Sequence, residues 1–275
     1  MTTFQATYRT TTYRTVWWTG GALALCGALL TGCTSQPPPD KKADATPTRT
    51  TASPSPTSLG YTPDPARVPT SRTAARALAA RIATGPEVYG PGYEKSAPYD
   101  SDPAEWTVLD GSCDWQRERL PADSDVLATL TRRSELPASG GKGRVRIAAV
   151  VTVHRDTAAA DREMAETLEE AMRCPDQRLG PTERVTELLS LGSAYGQGGN
   201  MSTDDVLNER GKYVDETIGG APVFYGWQQS RLGPVTFAVV VKGAQGFAAE
   251  ELERTQVSGL TSMLGRIKQQ LGATS

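Results

Sequence analysis

Histidine is almost missing from this chain: His154 is the only one in 275 residues. A zinc site of the H-E-x-x-H kind needs two imidazoles one helical turn apart, so it is excluded. No G-x-S-x-G run is present, which removes the strand-to-helix elbow of a serine hydrolase. The Gly-rich stretch Gly192 to Gly199, "GSAYGQGG", lacks the Lys-Ser/Thr pair of a phosphate loop and follows no expected strand, so it reads as surface loop. Asp100 with Asp102, and Asp204 with Asp205, do not continue into the spacing of a calcium loop. Basic residues do not outnumber acidic ones, 29 against 31, so the chain has no broad claim on a phosphate backbone and no nucleic-acid partner is expected. There is no internal repeat, and no cofactor is expected.

The longest apolar run, Val16 to Gly32, is interrupted by Thr19, Gly20, Gly21 and Gly27. It falls short of the roughly 20 apolar residues of a membrane span. Arg9 and Arg14 precede it and no acidic residue occurs until Asp40. A basic start, an apolar middle and small residues at the end form the pattern of a secretory signal.

That run ends in Leu30-Thr31-Gly32-Cys33, which resembles the lipobox of bacterial lipoproteins. The resemblance implies that the signal, residues 1–32, is removed, that the Cys33 thiol carries a diacylglycerol, and that the new amino terminus is acylated. The membrane then becomes a partner through a lipid anchor on the extracytoplasmic face. An ordinary secretory signal with a chance cysteine is the alternative. Several acyl chains, at about 0.8 kcal/mol per buried CH₂, hold a protein stably where one does not. Loss of Arg9 and Arg14 leaves 27 basic against 31 acidic residues, a net charge of −4.

Residues 33–65 are rich in Pro, Thr and Ser with almost nothing apolar. Such a composition buries too little to offset the entropy of ordering, so it reads as an extended tether. Its reach is on the order of 100 Å if it is polyproline-like.

Residues 66–275 suit one domain with its own core. A helix capped at Thr70-Ser71 carries Ala74, Leu78 and Ile82 and stops at Gly85-Pro86. Strands are expected at Trp106 to Leu109, Cys113 to Leu120 and Asp125 to Arg132. The clearest strand is Arg144 to His154, "RVRIAAVVTVH", alternating at its start and apolar on both faces at its middle. A helix capped by Asp156 or Thr157 follows, with Ala160, Met164, Leu168, Ala171 and Met172 on one stripe, and ends at Cys174-Pro175. Pro222 to Arg231 and Pro234 to Lys242 form a hairpin across Leu232-Gly233. A last helix, about Ala248 to Leu271, presents Val257, Leu260, Leu264, Ile267 and Leu271, with Gly259 and Gly265 weakening it. The expected fold is α+β: a mainly antiparallel sheet with helices packed on one face.

Once Cys26 leaves with the signal and Cys33 is lipidated, Cys113 and Cys174 remain, and in an oxidising compartment a lone pair joins. A ten-residue strand rises about 33 Å and a seventeen-residue helix returns about 25 Å, which brings Cys174 back toward the end where the strand began. Two cysteines and one distant histidine do not supply a zinc set, so no metal is expected.

An anchored, Pro/Thr-tethered α+β domain with a cysteine before an early strand and "VVTVHRDTAAADREMAETLEEAMRC" is similar to the extracellular sensor domains of mycobacterial serine/threonine kinases and their free-standing lipoprotein relatives. The likeness is one of arrangement over Cys113 to Lys242, and this chain has one cysteine pair where those sensors usually carry two. It implies a non-catalytic binding domain with a cleft beside the sheet.

Aromatic residues supply the candidate recognition surface. Alternation sets Tyr225 and Trp227 on one strand face and Trp115 on the face of Cys113. These rings either fill the core or, with Arg117 or Gln229, line a groove for a small molecule, peptide or envelope protein. His154, at a strand end, is read as a surface residue, or as the base of a cell-envelope hydrolase with Ser193 or Ser230.

Overall fold

The computed structural model describes residues 61–193 and 202–272. The signal, Cys33, the tether up to Gly60 and residues Ala194 to Gly199 lie outside the described residues. In chain order the elements are α1 (Arg72–Ile82), β1 (Glu94–Asp100), β2 (Glu105–Leu109), β3 (Trp115–Arg119), β4 (Val126–Leu136), β5 (Val145–His154), α2 (Thr157–Arg173), β6 (Gln177–Arg178), β7 (Glu183–Ser193), β8 (Asp205–Asp215), β9 (Val223–Leu232), β10 (Val235–Lys242) and α3 (Ala249–Leu271). Eight strands form one sheet in the order β1-β4-β5-β10-β9-β8-β7-β6, while β2 and β3 make a separate ribbon. The strand pairings are antiparallel. The α+β class, the antiparallel sheet and the single disulfide are as expected.

Strand β5 lies between β4 and β10 and divides the molecule by parity. Val145, Ile147, Ala149, Val151 and Val153 pack with Phe237, Val239 and Val241 of β10 beneath α1 and α3, forming the main core. Ala148 and Val150 point the other way, toward Ala171 of α2, Tyr213, Tyr225 and Val240. Helices therefore cover both faces, which corrects the expectation of helices on one face. The reason is topological. β5 is hydrogen-bonded to β10, but the next strand in the chain, β6, is at the far edge. The connection must cross β10, β9 and β8, and α2 packs on each of them as well as on β5 and β7. Strands with apolar middles on both faces need that second cover.

Helix α2 begins where the sequence places it: the Asp156 carboxylate accepts from the Ala159 N–H at 2.8 Å, satisfying a donor that the first helical turn leaves free. Ala159, Ala160, Met164 and Ala171 are buried. Met172, assigned to the same stripe, is 76 % exposed, as is half of Val257 in α3. With Ala171 against the sheet, the residue about 100° further round the helix turns out. In α3 the two glycines differ. A Cβ on Gly259 would lie 2.8 Å from the Tyr89 ring and 2.9 Å from Val239, whereas Gly265 faces open space.

The folded domain begins before residue 66. Tyr61 packs against the main core and its hydroxyl donates to the Gly272 carbonyl. Asp64 N–H donates to Leu271 O at 3.2 Å. Tyr61 to Pro65, placed in the tether by composition, are thus part of the domain, because one ring, its hydroxyl and one backbone hydrogen bond fasten them. No helix among the described residues is long and apolar enough to cross a membrane.

Candidate ligand-binding site

The face of the sheet beneath α2 carries two groups of polar side chains. Strand register sets them in order. Arg146 lies opposite Lys242, which lies opposite Tyr225. One step along, Ala148, Val240, Trp227 and Glu209 align across four strands.

The first group closes on itself. Arg146 Nη1 donates to Glu183 Oε1 at 2.7 Å, Asp215 Oδ2 at 3.0 Å and the Tyr213 hydroxyl at 2.9 Å. The Tyr213 hydroxyl donates to Glu183 at 2.6 Å, and Lys242 Nζ reaches the other Glu183 oxygen at 2.6 Å. Burial opposes the charge on Glu183, but Lys242, Tyr213 and Arg146 outweigh it and hold the carboxyl below its ordinary range. Asp215 is likewise held low: burial opposes its charge, and Thr217 and Arg146 overcome that. A cavity of about 520 Å³ opens beside this group.

The second group surrounds a smaller cavity of about 170 Å³. Helix α2 contributes Glu163, Glu166 and Glu170, the sheet contributes Glu209, Tyr225 and Trp227, and the ribbon contributes Trp106 and Trp115. Every tryptophan among the described residues is on this wall, and no Lys or Arg is. Trp115 and Trp227 donate their indole N–H groups to Gln177 at 2.8 Å and Gln229 at 3.3 Å. The Trp106 N–H has no acceptor among the described residues.

The ribbon is held over the cavity by α2. Cys113 and Cys174 are joined, with Cα atoms 5.6 Å apart. Arg178 N–H donates to Cys113 O at 2.9 Å, and the Arg173 guanidinium donates to Asp110 O at 3.2 Å. Cys174 does return toward the level at which β5 begins, but over β7: Pro175 O accepts from Leu188 N–H at 2.8 Å, and the neighbouring Leu189 is in register, through β8, β9 and β10, with Ile147.

The four carboxylates are not alike. Glu163 is satisfied within the protein. One oxygen is 2.6 Å from His154 Nε2 and accepts from Thr236 at 3.0 Å, and the other accepts from Gln229 at 2.9 Å. Glu166, Glu170 and Glu209 have no ion-pair partner among the described residues. Burial, then the neighbouring Glu166 and Glu163, raise Glu170 to about 7 against the pull of Arg173. Burial raises Glu209 to about 8, with Glu170 adding to the rise and the Ser190 hydroxyl at 3.1 Å opposing it.

Tyr225 and Trp227 therefore meet at one cavity, joined by Trp115. Arg117 does not: it is exposed on β3, paired with Thr107. His154 is 1 % exposed, which corrects the surface assignment; the strand end is roofed by α2, and Glu163 supplies the buried partner that an imidazole needs. Neither serine serves it. Ser230 lies on the opposite sheet face from Gln229 and Arg231, and Ser193 is on β7, beyond β10, β9 and β8. At about 4.8 Å per strand that is nearly 20 Å. "GSAYGQGG" does follow a strand, since β7 runs to Ser193.

The site residues missed in the sequence are Trp106, Glu163, Glu166, Glu170 and Glu209. Glu163, Glu166 and Glu170 recur at the spacing of one helical face, and that face adjoins Ala160 and Met164, which was the available signal. No known family model matches the chain, and no curated protein matches it.

Proposed function

We propose that this chain is a lipid-anchored, extracytoplasmic lipoprotein whose folded domain binds a small ligand in the cavity beneath α2 without catalysing a reaction. The observation that carries the binding reading is the cavity itself: three tryptophans and a tyrosine around Glu166, Glu170 and Glu209, none of which forms an ion pair among the described residues. Protein interiors leave such charges unpaired at a cost in stability, so they mark function more often than packing. The size favours a small molecule over a peptide or an envelope protein, since cavities of roughly 150 Å³ admit a molecule such as benzene. The anchor rests on the lipobox-like Leu30 to Cys33 and the basic residues ahead of it, and a disulfide suits an oxidising compartment.

A hydrolase is the second reading. Buried His154 gives it no support, but Glu170 and Glu209, both shifted upward in one cavity, are the kind of pair an acid-base enzyme carries. Purified protein screened against ester, amide and glycan substrates should show no turnover. Robust turnover lost in Glu170→Gln or in His154→Ala would overturn the binding reading. Intact mass of protein extracted from membranes should place a diacylglyceryl group on Cys33, and an unmodified Met1 on protein from the cytosol would refute the anchor.

A further inference from the structure

We propose that the cavity beneath α2 is a receptor site for a compact organic ammonium ion, its charge met by Glu170 and Glu209 and its alkyl groups by the faces of Trp106, Trp115 and Trp227. This inference rests on the binding reading above and names the ligand class of the same site.

Three observations converge. Glu209 is 5 % exposed, lines the cavity, and has the Ser190 hydroxyl as its one side-chain hydrogen-bond partner among the described residues. A carboxylate so placed lacks a cation. The walls include three indole rings and a phenol, and the electron-rich faces of such rings attract an alkylammonium and shed water from its methyl groups. The lining holds no Lys or Arg, so an anionic ligand would find no counter-charge there and would face the carboxylates. The nearest cation, Arg173, is turned to the carbonyls of Leu109 and Asp110.

The geometry also separates an organic cation from a metal ion. A divalent metal draws oxygen ligands to within about 2.0–2.6 Å of one point. No group of three His, Cys, Asp or Glu residues among the described residues converges in that way. Carboxylates spread around a ring-walled space suit a charge that is itself spread over several carbon atoms.

The test uses choline as the probe and 3,3-dimethylbutan-1-ol as its neutral isostere, in which carbon replaces the charged nitrogen. Each is titrated into the purified full-length protein at pH 8, read by calorimetry and by tryptophan emission. Choline is expected to bind at least tenfold more tightly than the alcohol and to change the emission. Glu170→Gln with Glu209→Gln should weaken choline at least tenfold and leave the alcohol unchanged. Both substitutions keep the side-chain shape, and an unchanged or raised melting temperature at pH 8 certifies the fold. Equal binding of the two probes, or tighter binding of the alcohol or of N-acetylglucosamine, overturns the ammonium site and leaves a neutral-ligand receptor standing. No response to choline, tetramethylammonium or putrescine overturns it as well. Substrate turnover, by contrast, removes the receptor reading beneath it.

Discussion

Two clusters of charge share one face of one sheet, and their treatment is opposite. Around Arg146 the ledger of signs closes: two carboxylates, a guanidinium, an ammonium and a phenol satisfy one another within 3.0 Å. A short way along the same sheet face, Glu209 of β8 and Glu166 and Glu170 of α2 share a cavity with aromatic rings, with no cation paired to them among the described residues. Both sites are partly buried and both contain tyrosine and carboxylates, so burial alone does not separate them. The difference is whether the protein supplies the counter-charge itself. Where it does, the cluster holds strands together; where it does not, the proposed ligand is the missing counter-charge.

The largest effect should come from the bond that fastens the ribbon. Cys113→Ser with Cys174→Ser opens a loop of 61 residues, for which the chain-entropy model gives about 4 kcal/mol. Urea unfolding should report that loss. Trp106 and Trp115 would also leave the cavity wall, so choline binding should vanish while the Arg146 cluster persists.

Next is the pH profile, where the clusters pull in opposite directions. Glu209 ionises in the folded state at about 8, well above its ordinary 4.5, so the folded protein holds a proton that the unfolded chain has released. Stability should therefore fall as pH rises from about 4.5 to 8, by a few kcal/mol, at up to about 1.4 kcal/mol for each pH unit. Glu170, raised by burial and by Glu166 and Glu163, adds to the fall; Arg173 is the cation facing it, and Ser190, Tyr225 and Trp227 bring no charge from β7 and β9. Glu209→Gln should flatten the slope in denaturant titrations across that window. Glu183 and Asp215 are shifted downward, so their contribution is present above their ordinary 4.5 and 3.8 and disappears as pH falls through their lower folded values. A profile that rises steadily from pH 5 to 8 would contradict the assignment of the second cluster.

Arg146→Ala should destabilise by about 2 kcal/mol, because Glu183 and Asp215 lose a shared partner while solvent still reaches the site. Choline affinity should stay within a factor of two, since Arg146 does not line the small cavity. The smallest effects concern α3. Gly265→Ala should stabilise by up to about 1 kcal/mol through helix propensity. Gly259→Ala should destabilise, because the new methyl meets Tyr89 and Val239. Melting curves of the two variants check the sign.

Much of the fold was legible where one period dominates. β5, the β9–β10 hairpin, α2 and α3 all follow from apolar spacing, and Asp156 marks the start of α2. Strand β1 was hidden because "EKSAPYD" lies in a stretch of Pro, Gly and Tyr and runs along the sheet edge with little burial. Strand β8, "DVLNERGKYVD", was hidden for a more instructive reason. Its inward positions include Glu209 and Gly211, so alternation fails at the very residue that lines the cavity. A strand that places a carboxylate inward looks like a loop by hydropathy. Tyr225 and Trp227 were legible as a shared face, yet whether that face was core or groove depended on α2 crossing it, which is a property of strand order. Arg117 shares a strand with Trp115 but is exposed and does not line the cavity.

The central claim, that the cavity awaits a cation, is tested most directly by the protons that binding displaces. Choline binding followed by calorimetry at pH 7 in two buffers of different ionisation enthalpy should release protons, as Glu170 and Glu209 give theirs up to meet the ammonium charge. Identical heats in both buffers, or proton uptake, would contradict the account.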